Sequence, residues 1–204
     1  MTGSDGFLPD TRRITSLAAS LDKHRYLSYR RDWLLISLNI GFLMKGGKGK
    51  NLPDEDHVIR YVPWGRLRRD EDENVLGFLP QAFQLRQEED YLSVNWLQYY
   101  DGDRETQIRL SVWAMRDSFE KPLGAKSAFA IGNVGEVKKT SEAFGSRVRV
   151  VHEPEPSNPE HSGIRRLPRD DLSLLEALAA DAFTELVRNI DIHPKPAEPP
   201  SHQV

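Results

Sequence analysis

The chain has 204 residues, 38% hydrophobic and 29% charged, with a formal net charge of −3. That size and composition suit one folded domain with appendages, large enough to keep a core without disulfide or metal staples. The slight acidity excludes a global basic field for nucleic acid, and the lack of cysteine excludes disulfides, thiolate metal sites and cysteine nucleophiles.

Residues 1–10 read as a polar lead-in rather than a secretory signal. Ile14, Leu17 and Leu21 then predict a short helix over Thr11–Lys23. The apolar run Trp33–Met44 alternates with period 2, which predicts a strand, and its 12 residues are too few to span a bilayer. The segment 46–50, GGKGK, is expected to be a flexible basic connector. Neither register of its Gly-Lys pairs supplies the Ser or Thr that a phosphate loop needs. Because the texture changes there, residues 1–43 are read as a candidate N-terminal extension before Met44.

Beyond the connector, His57–Val62 is rich in β-branched and aromatic residues and predicts a strand ended by Pro63 and Gly65. Residues 66–73 form a charged turn. Val75–Leu79 and Ala82–Leu85 are short apolar pieces, the second read as a strand edge. Leu92, Val94 and Trp96 alternate in a further strand, and Asp101-Gly102 signals a turn. Ile108, Val112, Met115 and Phe119 are spaced 4, 3 and 4, which predicts a helix over Arg104–Arg116. Ser127–Val137 is read as a small-residue strand and Arg147–His152 as another. Residues 153–168, with four prolines, are assigned to a loop. A last helix is expected from Asp171 to Ile190, with Leu174, Leu175, Leu178, Ala182 and Leu186 on its apolar face. The tail from Ile192 has four prolines and no apolar pattern, and is expected to be disordered.

This order predicts an α+β fold: a mainly antiparallel or mixed sheet with two principal helices packed on one face, and a disordered proline-rich C-terminal tail. The expected division is an extension and connector over 1–50, a single α+β domain over 51–190 and the tail over 191–204.

Chemistry is carried by few residues. His57, Arg60, His152 and His161 are the candidate catalytic residues, with Ser93 and Asn95 as candidate substrate-binding groups. Imidazole moves protons near neutral pH, and guanidinium forks onto anions. Strict alternation puts Arg60 opposite His57, so the two share a pocket only where the strand twists, bulges or ends. His152 and His161 are nine residues apart rather than at the helical H-E-x-x-H spacing, and no metal or cofactor is expected. A catalytic pocket would require the three histidines to meet around one cleft with Arg60 or Asn95.

The leading functional expectation is a small binding or accessory module acting within a multi-protein assembly, with a protein partner and no membrane. The cysteine-free composition fits a cytoplasmic location. The alternative is a phosphoester- or nucleotide-processing hydrolase or transferase with a His/Arg pocket. A nucleic-acid reading, resting on the arginines at 30–31 and 66–69, ranks below both.

Overall fold

A computed structural model describes residues 47–196. The expected helix at 11–23, the strand at 33–44 and the tail beyond 196 lie outside the described residues. All the elements below belong to one compact unit, Met44–Lys195.

The unit is α+β. Six strands form one antiparallel sheet: β1 (His57–Val62), β4 (Tyr91–Trp96), β5 (Ala128–Asn133), β6 (Arg149–His152), β7 (His161–Arg165) and β8 (Glu185–Arg188). Their spatial order is β6-β7-β4-β1-β5-β8. A small hairpin pairs β2 (Leu67–Arg69) with β3 (Val75–Phe78). Three helices complete the unit: α1 (Arg104–Ser118), α2 (Val134–Ala143) and α3 (Leu172–Ala177). None of the described helices is long and apolar enough to cross a membrane.

Each helix begins at a side-chain cap that satisfies an orphan amide. Asp103 accepts from the Thr106 amide at 2.8 Å, Asn133 from Glu136 at 3.0 Å and Asp171 from Leu174 at 3.0 Å. The helices lie on both faces of the sheet, not on one as expected. Ile59, Phe129 and Ile131 of the sheet pack with Ile108, Val112 and Met115 of α1. Val58, Val62 and Ala130, pointing the other way, pack with Val137 of α2 and Leu174, Leu175 and Leu178. β1 is apolar on both sides because both sides are covered.

Four further expectations are corrected. The last helix stops early: α3 passes into a π-helix, Leu178–Ala182, and the chain then enters β8. Leu186 therefore sits in a strand, against Ala130. The strand read through Val137 ends at Asn133, where α2 starts at once. The proline-rich stretch after His152 holds β7, a full member of the sheet between β6 and β4. The piece at 82–85 is not a strand edge, because Pro80–Phe83 is a 3-10 turn.

Both ends of the described chain are held by hydrogen bonds. In the connector, the Gly49 amide donates to the His152 carbonyl at 2.7 Å and Leu52 to Val150 at 2.9 Å, so 49–52 covers the outer edge of β6. At the tail, the His193 carbonyl accepts from the Trp113 indole at 2.8 Å, and Ile192 from Arg116 at 3.0 Å. Residues 191–195 thus lie along α1 rather than hanging free.

Gly132 marks the closest approach between the sheet and the π-helix. A Cβ there would stand 2.8 Å from the Ala182 carbonyl oxygen and 2.9 Å from the Phe183 ring. The carbonyl belongs to the backbone and cannot swing aside. Gly132→Ala should therefore destabilise by about 1–3 kcal/mol, the range for overpacked cores. Gly65→Ala, with open space around its Cβ, should be near neutral. Urea unfolding of both variants checks this, and equal midpoints would mean that the sheet and π-helix sit further apart than described.

One irregularity of the sheet positions everything that follows. β1 pairs with β5 along all six residues, but with β4 only at Val58 and Ile59. β4 meanwhile stays paired with β7 from Tyr91 to Asn95. The two halves of the sheet part beyond Ile59.

Candidate functional site

A cavity of about 850 Å³ opens where β1 and β4 part. Its floor is sheet, and its walls come from the end of α1, the segment 81–89 and the loop 155–158. Such a volume suits a small organic ligand, since ligand pockets run from roughly 300 to 1,000 Å³.

Arg60 lies at the parting. Nε donates to the Ala82 carbonyl at 2.8 Å and Nη1 to the Ser93 carbonyl at 2.6 Å. The guanidinium so engages a carbonyl of β4 at a position where β4 has left β1. Nη2 has no partner, and no carboxylate pairs with the group, among the described residues. Burial pushes the Arg60 guanidinium down to about 10, while the Glu89 carboxylate pulls it back toward its ordinary value. A cation so placed is partly stripped of water, and among the described residues the Glu89 carboxylate offsets its charge without pairing with it.

Beside it, Ser93, Asn95 and His161 share one face of the sheet by the pairing Asn95–His161 and the alternation of β4. All three line the cavity. Asn95 and Asn158 exchange amide hydrogen bonds at 3.2 and 3.1 Å. Asn95 also donates to Oε1 of Glu160 at 3.0 Å. Glu160 is fully buried beneath this floor, and burial raises its carboxyl to about 7. The loop is ordered by its own backbone: Glu155 and Asn158 exchange amide-to-carbonyl bonds at 3.1 and 3.0 Å.

His161 is oriented by a main-chain acceptor. Its Nδ1 donates to the Glu153 carbonyl at 2.9 Å, with the Glu155 carboxylate at 3.5 Å and the Tyr91 ring at 5.8 Å. In the neutral ring that bond selects the tautomer with the lone pair on Nε2, and Nε2 has no partner among the described residues.

The structure thus brings Arg60, Ser93, Asn95 and His161 to one cavity, and leaves His57 and His152 elsewhere. His57 stands at the other end of β1. Its amide donates to Gln98 at 2.7 Å, and burial, then the Arg104 charge, lowers its pKa. His152 is fully buried on the opposite face, against the rings of Trp96 and Tyr99, with Nε2 2.8 Å from the Pro159 carbonyl. It is part of the core. Among the described residues, no three His, Asp or Glu side chains could share a metal ion.

Comparison with protein-family models, with curated proteins and with solved structures finds no match.

Sequence reading missed Tyr61 and Phe119 as cavity walls, and Asn158 and Glu160 as its polar support. Tyr61 and Phe119 were legible only as apolar positions of a strand and a helix. Nothing in Asn158-Pro159-Glu160 marks a buried network; the signal is the pairing of β7 with β4, which is not local. Of the arginines on which a nucleic-acid reading rests, Arg30 and Arg31 lie outside the described residues, Arg69 lies 4.4 Å over the Trp64 ring and Arg66 lines the cavity.

Proposed function

We propose that this domain is a binding module for a small organic monoanion, with Arg60 as its anchor. The observation that supports this most is the half-buried guanidinium with no carboxylate partner, among the described residues, at the floor of a cavity of ligand size. Charge selects the ligand class. The cavity is lined by four cationic side chains, Arg60, Arg66, Arg86 and Lys121, against Glu89, Glu120 and Glu155. One positive charge is in excess, which a carboxylate balances and a phosphate dianion exceeds. Two of the guanidinium nitrogens are already committed, so Arg60 offers one nitrogen rather than the full fork that phosphate recognition favours. Ser93 and the His161 ring add polar groups that fix orientation, on a floor that Asn95 holds through Asn158 and Glu160.

Acetate titration followed by amide chemical shifts tests the reading. Saturable shifts at Ser93, Asn95 and His161 are expected, and Arg60→Met should abolish them. Arg60→Lys, which keeps the charge and relieves concern over folding, should weaken binding by about tenfold, the cost of one lost charge-assisted bond. Shifts unaltered by both substitutions would sink the proposal.

The oriented His161 ring favours a second reading, the phosphoester-processing enzyme. Nε2 would take the proton of a water that attacks phosphorus, the ester P–O bond would break, and the leaving alkoxide would take that proton back from the ring, while Arg60 Nη2 holds one phosphoryl oxygen. Hydrolysis of nitrophenyl phosphate, lost in His161→Ala, would favour this reading over the first.

A further inference from the structure

We infer that the bound monoanion carries a planar aromatic ring, seated against Tyr61 and Phe119. This rests on the anion reading of the same cavity and adds what the rest of the ligand must be. The cavity is graded across the sheet. Its β4–β7 side presents Ser93, Asn95 and His161, and its α1 side presents Ile59, Tyr61, Met115 and Phe119. Arg60 lies between, next in sequence to Ile59 and Tyr61.

The apolar side is built from rings. The Tyr61 and Phe119 centroids are 5.5 Å apart at 60°, and Tyr61 is backed by Phe129 at 6.0 Å and 58°. Tilted pairs at these spacings are the favoured geometry of aromatic clusters, which a further ring extends by edge or offset contact. Phe119 is 47% exposed, although it closes a helix whose neighbouring positions Ile108, Val112 and Met115 are all buried. The Met115 side chain adds a polarizable thioether to the same wall, a group that packs well on ring edges. An acid the size of acetate leaves this wall uncovered, since it fills only a small part of about 850 Å³. A ring on a short arm reaches from Arg60 to Phe119 and covers it.

The test uses the full chain and four probes: acetate, phenylacetate, phenylpropionate and cyclohexylpropionate, titrated by calorimetry and amide shifts. Phenylpropionate or phenylacetate should bind at least about tenfold tighter than acetate, and tighter than the cyclohexyl acid, because the ring adds both area and aromatic contact. Phe119→Leu, which keeps apolar bulk at a half-exposed position, should remove most of that gain, read as the ratio of phenyl-acid to acetate affinity in the variant against wild type. Arg60→Met should remove binding of every probe. Phenyl acids no tighter than acetate, or a Phe119→Leu variant that keeps the full gain, overturn the ring and leave the anion site standing. A cyclohexyl acid as tight as the phenyl one also overturns it. If no acid binds in an Arg60-dependent way, the anion reading fails, and the ring with it.

Discussion

Replacing Leu178 by alanine should cost the fold about 2–5 kcal/mol, the range for buried leucines. Leu178 is fully buried, and it sits where α3 gives way to the π-helix. A helix of six residues has no stability of its own in water, so α3 is held by its packing and its Asp171 cap. The packing is narrow: Leu174, Leu175 and Leu178 enter the core, and Phe183 stacks on Phe83 at 4.5 Å and 29°. The Phe183 amide donates to the Leu178 carbonyl at 2.9 Å, so this leucine also carries the wide turn that aims the chain into β8. Truncating it opens a cavity and loosens the lead into an edge strand. Urea unfolding measures the loss. A change below about 0.5 kcal/mol, ordinary for surface positions, would show that the segment is peripheral.

The second large effect depends on pH. Glu160 holds its proton to about 7 in the fold, against 4.5 for an ordinary glutamate. Burial is the main cause, and the Asn95 amide and the neighbouring Tyr100 hydroxyl only partly oppose it. The folded state therefore binds more protons than the unfolded state between those values. Stability from this group is full below about pH 4.5, falls as pH rises to about 7, and is flat above. The whole step is worth about 3 kcal/mol at 1.36 kcal/mol per unit. His57, whose pKa is lowered, slopes the other way through its own range, so the wild-type curve alone mixes the two. Glu160→Gln separates them. The variant should match wild type near pH 4.5 and exceed its stability by about 1–3 kcal/mol at pH 8. Two parallel curves would mean that Glu160 titrates normally.

Much of the sheet was legible because its strands obey local rules. His57–Val62 is rich in β-branched and aromatic residues, Leu92, Val94 and Trp96 alternate, and Ile108, Val112 and Met115 sit on one stripe of a capped helix. The second covered face was also written in β1, where Ile59 and Tyr61 are apolar opposite Val58 and Val62. The helix α2 was hidden because Ser127–Val137 reads as one apolar run; Asn133 with Glu136 three residues on was its capping signal. β7 was masked by prolines 154, 156, 159 and 168 around a five-residue strand with Gly163 at its centre. The Tyr91 ring lies where a Cβ on Gly163 would be, at 2.6 Å, a reason for glycine that only the paired strand reveals. The site was half legible. Arg60, Ser93, Asn95 and His161 were chosen by residue type. Their meeting follows from two strands that part after two pairs, which no local pattern encodes.

The strand order has a consequence for how the chain reaches this state. Within the six-stranded sheet, among the described residues, only β6 and β7 are neighbours that follow each other closely in sequence. β1, near the middle of the sheet, must wait for β5, whose Asn133 pairs with His57. During synthesis its apolar faces emerge long before the helices that cover them. Closing so wide a loop comes early in the search and is rewarded late, which places refolding in the millisecond-to-second class of sheet-dominated domains rather than among fast helical bundles. The unpaired β1 is then the segment most exposed to wrong partners, and dilute refolding should outyield concentrated refolding.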